Sequence, residues 1–229
     1  MKRVLRLENA SYGHFRIRVQ VFAMARLAAL LAALGLGAVP AEARLLHVVA
    51  LGDSLTAGYG LAPGEAFPDA LARALKARGW DVEVANAGVS GDTAADGLAR
   101  YEWSVPEGTD ALIVELGAND MLRGLDPAAA EAALAQILAK ARAAHVATLL
   151  MGMRAAPNLG ADYQRRFDTI YPDLARRFGV ALYPFFLDGV AGDAKLNQKD
   201  GLHPTREGVA RIVAQILPAV EGVLAEVKP

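Results

Sequence analysis

Five apolar runs recur between residues 45 and 187, with stripes of helical period between and after them, and this alternation restricts the fold more than any other feature. The runs are 45–51 (LLHVVAL), 81–85 (DVEVA), 110–116 (DALIVEL), 146–153 (VATLLMGM) and 179–187 (GVALYPFFL). They are continuously rather than alternately apolar, as strands covered on both faces of a parallel sheet must be. Four stripes follow i, i+3/i+4, i+7 spacing: Phe67, Leu71, Ala74 and Leu75; Leu134, Ile137, Leu138 and Ala141; Phe167, Ile170, Tyr171, Leu174 and Phe178; and Val209, Ile212, Val213 and Ile216. Each predicts a helix with one face to lay on the sheet. Gly79 and Gly179 stand where the first and third should stop, and a shorter helical piece falls between 92 and 104. Right-handed crossovers put helices on both sides of such a sheet. The prediction is an α/β protein, a flavodoxin-like three-layer α/β/α sandwich with a five-stranded parallel sheet in one domain.

The alternation starts only at Leu45. Before it, residues 27–39 (LAALLAALGLGAV) are apolar or small, Arg26 precedes them, and Ala41-Glu42-Ala43 supplies a small-x-small site. This pattern predicts a secretory signal cleaved after Ala43, and the run is short of the ~20 residues that span a bilayer. Met24 opens a compact signal on its own, so residues 1–23 read as an upstream extension. The expected mature domain, 44–229, holds 18 Lys/Arg and 23 Asp/Glu, a net charge of −5. That balance argues against a nucleic-acid partner and for a small-molecule substrate, with no stable membrane insertion after signal cleavage. The absence of cysteine excludes disulfides and thiolate metal sites.

Ligands of open α/β sheets bind outside the carboxyl ends of the strands. There the chain places Gly52-Asp53-Ser54, Asn86-Ala87-Gly88 followed by VSGDT, Gly117-Ala118-Asn119-Asp120, Pro157-Asn158, and Asp200-Gly201-Leu202-His203. Three readings of this edge compete. Nucleotide binding is weak: Gly58, Gly60 and Gly64 have GxGxxxG spacing, no acidic residue ends the second strand, and no GxxxxGK[ST] occurs. A metal site would rest on His203 with Asp53 and Asp200, without recognisable ligand spacing. Nucleophilic catalysis uses more of the edge. The Ser54 hydroxyl needs a base, His203 is the histidine placed to be one, and Asp200 is near enough to orient it. His47 reads instead as a core position of the first strand, and His145 as a helix end. Backbone N–H groups of Ser54 and Gly88, with the Asn119 amide, are the expected oxyanion donors. The GxSxG elbow is missing, since Asp92 replaces the last glycine of GVSGD, which implies a different hydrolase architecture.

Gly52-Asp53-Ser54-Leu55, Gly88, Gly117-Ala118-Asn119-Asp120 and Asp200-Gly201-Leu202-His203 stand in the order of the four blocks of the SGNH (GDSL) hydrolases. VSGDTAADGLARY, ELGANDMLRGL, YPFFLDGVA and QKDGLHPT resemble segments of the bacterial periplasmic thioesterase I, arylesterase or lysophospholipase L1 group. The resemblance spans the mature chain. It implies an exported, periplasmic or secreted serine hydrolase of esters and thioesters, monomeric and free of cofactor or metal. Ser54, Asp200 and His203 would form its triad, and Ser54, Gly88 and Asn119 its oxyanion hole. Carbohydrate acetylesterase is the alternative activity within the same superfamily, and a non-catalytic binding protein the alternative outside it. By the same resemblance, Leu122 and Leu125 of a mobile loop would line the acyl pocket, with Pro157 as a further wall. Ala118 departs from the group's usual glycine.

Overall fold

The computed structural model describes residues 44–227; the upstream extension, the signal segment and the site after Ala43 lie outside them. Five parallel strands, β1 (Leu46–Gly52), β2 (Val82–Gly88), β3 (Ala111–Glu115), β4 (Ala147–Met151) and β5 (Ala181–Tyr183), run in the order β2-β1-β3-β4-β5. This is the flavodoxin-like order. The first helix, α1 (Ser54–Ala57), is a single turn; α2 (Phe67–Ala77) follows, then α3 (Ala94–Ala99) and α4 (Tyr101–Ser104). After β3 come α5 (Ala118–Leu122), α6 (Pro127–Ala143), α7 (Ala161–Asp168), α8 (Ile170–Phe178) and, at the end, α9 (Arg206–Glu226). One layer pairs α2 with α9, and the other groups α3 and α8 around α6.

Every predicted stripe faces the sheet. Leu71 and Leu75 of α2, Leu134, Ile137 and Leu138 of α6, Leu174 of α8, and Val209, Ile212 and Ile216 of α9 are all buried. Each such side chain contributes roughly 1.5–3 kcal/mol on removal from water. By length and composition α9 could cross a bilayer, but its apolar face is taken up by β4, β5 and α2.

Four local expectations change. The stripe from Phe167 to Phe178 is two helices rather than one, broken at Thr169, because Pro172 has no N–H to continue the ladder into α7. Strand β5 is three residues long rather than nine: Pro184 follows it, and the Phe186 N–H turns back to the Gly152 carbonyl. β2 lies at the sheet edge, so Glu83, Ala85 and Asn86 are exposed instead of covered. His47 is not a core residue. Burial in β1 begins at Val48, and the imidazole stands half in solvent beside Glu83 on the neighbouring strand. The register then sets the site: Gly52 at the end of β1 lies level with Gly88 on one side and Glu115 on the other.

Candidate active site

Ser54 is the first residue of α1, immediately after the sharp exit from β1. Asp53, wholly buried, caps that helical turn by accepting the Leu55 N–H at 2.9 Å. Gly52 has no room for a side chain, since a Cβ there would lie 2.1 Å from Thr56 Oγ1 and 2.7 Å from the Glu115 carbonyl. The turn closes at Gly58, whose φ of 84° is left-handed. The geometry explains the glycines on either side of the serine: the backbone passes against β3 at Gly52 and reverses at Gly58.

His203 comes from the loop before α9. Asp200 Oδ1 accepts the backbone N–H groups of Leu202 (2.9 Å) and His203 (3.0 Å), while Oδ2 faces His203 Nδ1 at 2.7 Å. These donors, the His203 N–H first, hold the Asp200 carboxyl down at about 2. An ionised Asp200 can only accept, so the Nδ1 proton of a neutral imidazole sits between the two. Nε2 is left as the acceptor for the Ser54 hydroxyl, whose Oγ is 2.9 Å away. Two further contacts steady this loop. The Tyr59 ring lies against the imidazole with centroids 4.6 Å apart, and the Gln198 amide donates to the Tyr59 carbonyl at 2.7 Å.

The expected donors on β2 need correction. Gly88 does not reach the cavity: its N–H is taken by its neighbour Asn86 Oδ1 at 2.9 Å, and a Cβ on it would lie 2.2 Å from the Ala57 backbone nitrogen. Its glycine is required because α1 packs directly on the strand. Strand β2 runs two residues past Asn86, so the residues that face the cavity are Ser90 and Gly91. Gly91 has a φ of 91°, and neither its N–H nor that of Ser54 has an acceptor among the described residues. Asn119, on α5, also lines the cavity; its amide donates to Asp53 Oδ2 at 3.1 Å and to the Asp92 carbonyl at 3.0 Å. Both hydrogens are thereby aimed, and an oxyanion in the cavity would share one of them.

Behind Ser54 lies a second pair of acids. Glu115, the last residue of β3, is fully buried; Oε2 accepts the Thr56 hydroxyl at 2.7 Å, and Oε1 has no partner among the described residues. Burial, then the nearby Asp53 charge, pushes its carboxyl well above the ordinary range. Burial also pushes Asp53 up to about 6, opposed chiefly by the Leu55 N–H. Burial thus biases Glu115 toward its neutral form, and its Oε2 serves as an acceptor beneath the turn. Asp53 joins helix capping to the anchoring of Asn119, two functions that need an acceptor at that position.

A cavity of about 590 Å³ opens between these residues and the β4 and β5 loops. Leu55, Met121, Leu122, Met153, Pro157, Phe185 and Leu187 give it an apolar wall, and Ala118 also faces it. Arg154 is stacked over Phe185 at 5.0 Å on the same lining. Of the expected pocket residues, Leu122 and Pro157 line this cavity. Leu125 does not: α5 has already ended, and the Leu125 carbonyl is turned to the Tyr163 hydroxyl at 2.9 Å. Tyr59, Met121, Met153 and Phe185 were not anticipated, although Met153 and Phe185 sit inside predicted strand ends. No cluster able to hold a metal ion occurs among the described residues.

The arrangement can be set beside known proteins. The model of the GDSL-like lipase/acylhydrolase family matches residues 50–211. Esterase TesA of Pseudomonas aeruginosa is 40% identical over 185 residues, 80% of this chain and 91% of that protein. Thioesterase 1/protease 1/lysophospholipase L1 of Escherichia coli K12 is 41% identical over 158 residues, 69% of this chain and 74% of that one. Among solved structures, AlinE4, an esterase of the SGNH-hydrolase family, superposes with a TM-score of 0.67 at 48% identity, covering 79% of this chain and 97% of its own. With the fold and the sequence in common, this chain belongs to the GDSL-like lipase/acylhydrolase family and is a serine esterase of the SGNH type.

Proposed function

We propose that the enzyme hydrolyses carboxylic esters and thioesters of apolar acyl groups through an acyl-enzyme on Ser54, after export and removal of residues 1–43. Ser54 Oγ attacks the acyl carbonyl while its proton passes to His203 Nε2, and Asp200 stabilises the imidazolium that results. The C–O or C–S bond then breaks, and His203 protonates the departing alcohol or thiol. Water, activated by the same histidine, releases the carboxylic acid and restores Ser54. The oxyanion of each tetrahedral intermediate is received by the Ser54 and Gly91 N–H groups and the Asn119 amide. Such a donor is worth roughly 2.7–4 kcal/mol of barrier.

The observation that carries the reading is the unbroken line Asp200 Oδ2–His203–Ser54 Oγ, with spacings of 2.7 and 2.9 Å, at the mouth of an apolar cavity. That cavity favours an acyl chain over the acetyl group of a modified sugar. The names of the relatives, an esterase and a thioesterase/lysophospholipase, point to the same substrate range. The apolar run before Ala41-Glu42-Ala43 supports export to the periplasm or beyond.

A fluorophosphonate probe at neutral pH should label the wild-type protein at Ser54 and leave Ser54→Ala unlabelled and inactive. Ester hydrolysis by a protein that stays unlabelled would sink the acyl-enzyme. A chain-length series of aryl esters beside an acetylated sugar then tests the substrate class. Turnover confined to the acetylated sugar would replace this reading with the acetylesterase.

A further inference from the structure

Gly91 presents a problem that its own turn does not solve. The Asp92 N–H bonds the Val89 carbonyl at 3.2 Å and closes a turn with Gly91 in third place, where a φ of 91° is favoured, but that bond is kept whichever way the central peptide turns the Gly91 N–H. A donor that wanders stabilises a transition state far less than one fixed beforehand. The fixing groups come from α5. The guanidinium of Arg123, the C-cap residue of that helix, donates Nη2–H to the Gly91 carbonyl at 2.6 Å. Asn119, one helical turn earlier, donates to the next carbonyl, that of Asp92, at 3.0 Å. Between them Asp120, buried, accepts the Ala94 N–H at 2.8 Å. Residues four apart lie on one helix face, and the Arg123 N–H closes the turn on the Asn119 carbonyl at 3.1 Å. One short helix therefore holds two successive carbonyls of the glycine turn while carrying the Asn119 amide itself.

We propose that Arg123 is a positioning residue for the oxyanion pocket, clamping the Gly91 carbonyl so that the Gly91 N–H and the Asn119 amide move as one unit. The inference rests on the reading of Gly91 and Asn119 as oxyanion donors. It touches neither substrate nor reacting atoms: the guanidinium acts through the backbone of Gly91. Arg123 is exposed, so its replacement does not threaten the core.

The test compares Arg123→Ala and Arg123→Lys with wild type on a neutral aryl ester. A second measurement is the affinity of an alkylboronic acid, which forms a tetrahedral adduct on Ser54. Arg123→Ala should lower kcat about tenfold with KM nearly unchanged, and weaken the boronate by a similar factor. Arg123→Lys, which keeps one donor, should recover part of both. A kcat within about twofold of wild type overturns the proposal, and so does a fall in kcat that boronate affinity does not follow. Asn119→Ala separates the two levels of inference. If it keeps full kcat, the oxyanion reading fails; if it loses kcat while Arg123→Ala does not, only the clamp fails.

Discussion

Asp200 and Glu115 stand on opposite sides of the turn that carries Ser54, and the same functional group is handled in opposite ways. Asp200, in front, is partly solvated and receives two backbone N–H groups and the imidazole; it is held near 2 and stays charged. Glu115, behind, is buried at the end of β3, receives the Thr56 hydroxyl, and is pushed toward its neutral form. The front carboxylate supplies charge to the proposed chemistry, and the rear one supplies shape to the turn. Donor supply and solvent, not residue type, decide which role an acid plays.

The comparison can be broken most severely from the front. Asp200→Asn should preserve the fold yet lower kcat by about 10³–10⁴, because an amide can reverse the imidazole tautomer and cannot stabilise the imidazolium. Steady-state kinetics with a thermal melt would check this, and an undiminished kcat would remove Asp200 from the triad. The rear acid should answer in stability. Glu115→Ala leaves the Thr56 hydroxyl without its acceptor and opens a cavity under α1, at a cost of about 2–4 kcal/mol. The melting temperature should fall by roughly 5–15 °C, and a change within ±1 °C or so would show that the carboxyl is not supporting the turn.

The smallest effect sharpens the contrast best. Glu115 keeps its proton in the folded state at pH values where the unfolded chain, titrating near 4.5, has lost it. The folded state then binds more protons, so stability falls as pH rises from that value toward the raised one. Glu115→Gln retains an acceptor for Thr56 and has nothing to titrate. Its melting temperature should vary less between pH 5 and 8, and exceed wild type at pH 8 by about 2–4 °C. A slope as steep as wild type would mean that the acid behind Ser54 is already ionised in the native protein.

How much of the site could be read beforehand depended on what each residue contributes. Ser54, Asp200 and His203 contribute side chains whose chemistry is rare on the edge, and two of them are three residues apart, so type and spacing pointed to three side chains that the fold brings within hydrogen-bond reach. The β2 donor contributes only a backbone N–H, which any residue possesses. Spacing pointed to Gly88 because the second strand was expected to end near Asn86; the strand runs on to Gly88 and moves the accessible turn to Gly91. Leu125 failed for a related reason. An apolar residue after Asn119 says nothing about where α5 stops, and the chain has turned away by then. His47 shows the same limit in β1, where an apolar run conceals the point at which burial begins.

The sequence by itself determined the elements and the edge: five apolar runs, helical stripes of the right period, and small or titratable residues where the strands end. Those are properties of short stretches, written in residue type and spacing. Only the tertiary structure decided which N–H groups remain free, why Gly52 and Gly88 admit no side chain, and why Asp53 and Glu115 titrate unlike Asp200. Each of these depends on what another segment brings within a few ångströms. Burial and donor supply belong to the packed chain and to no single stretch of it.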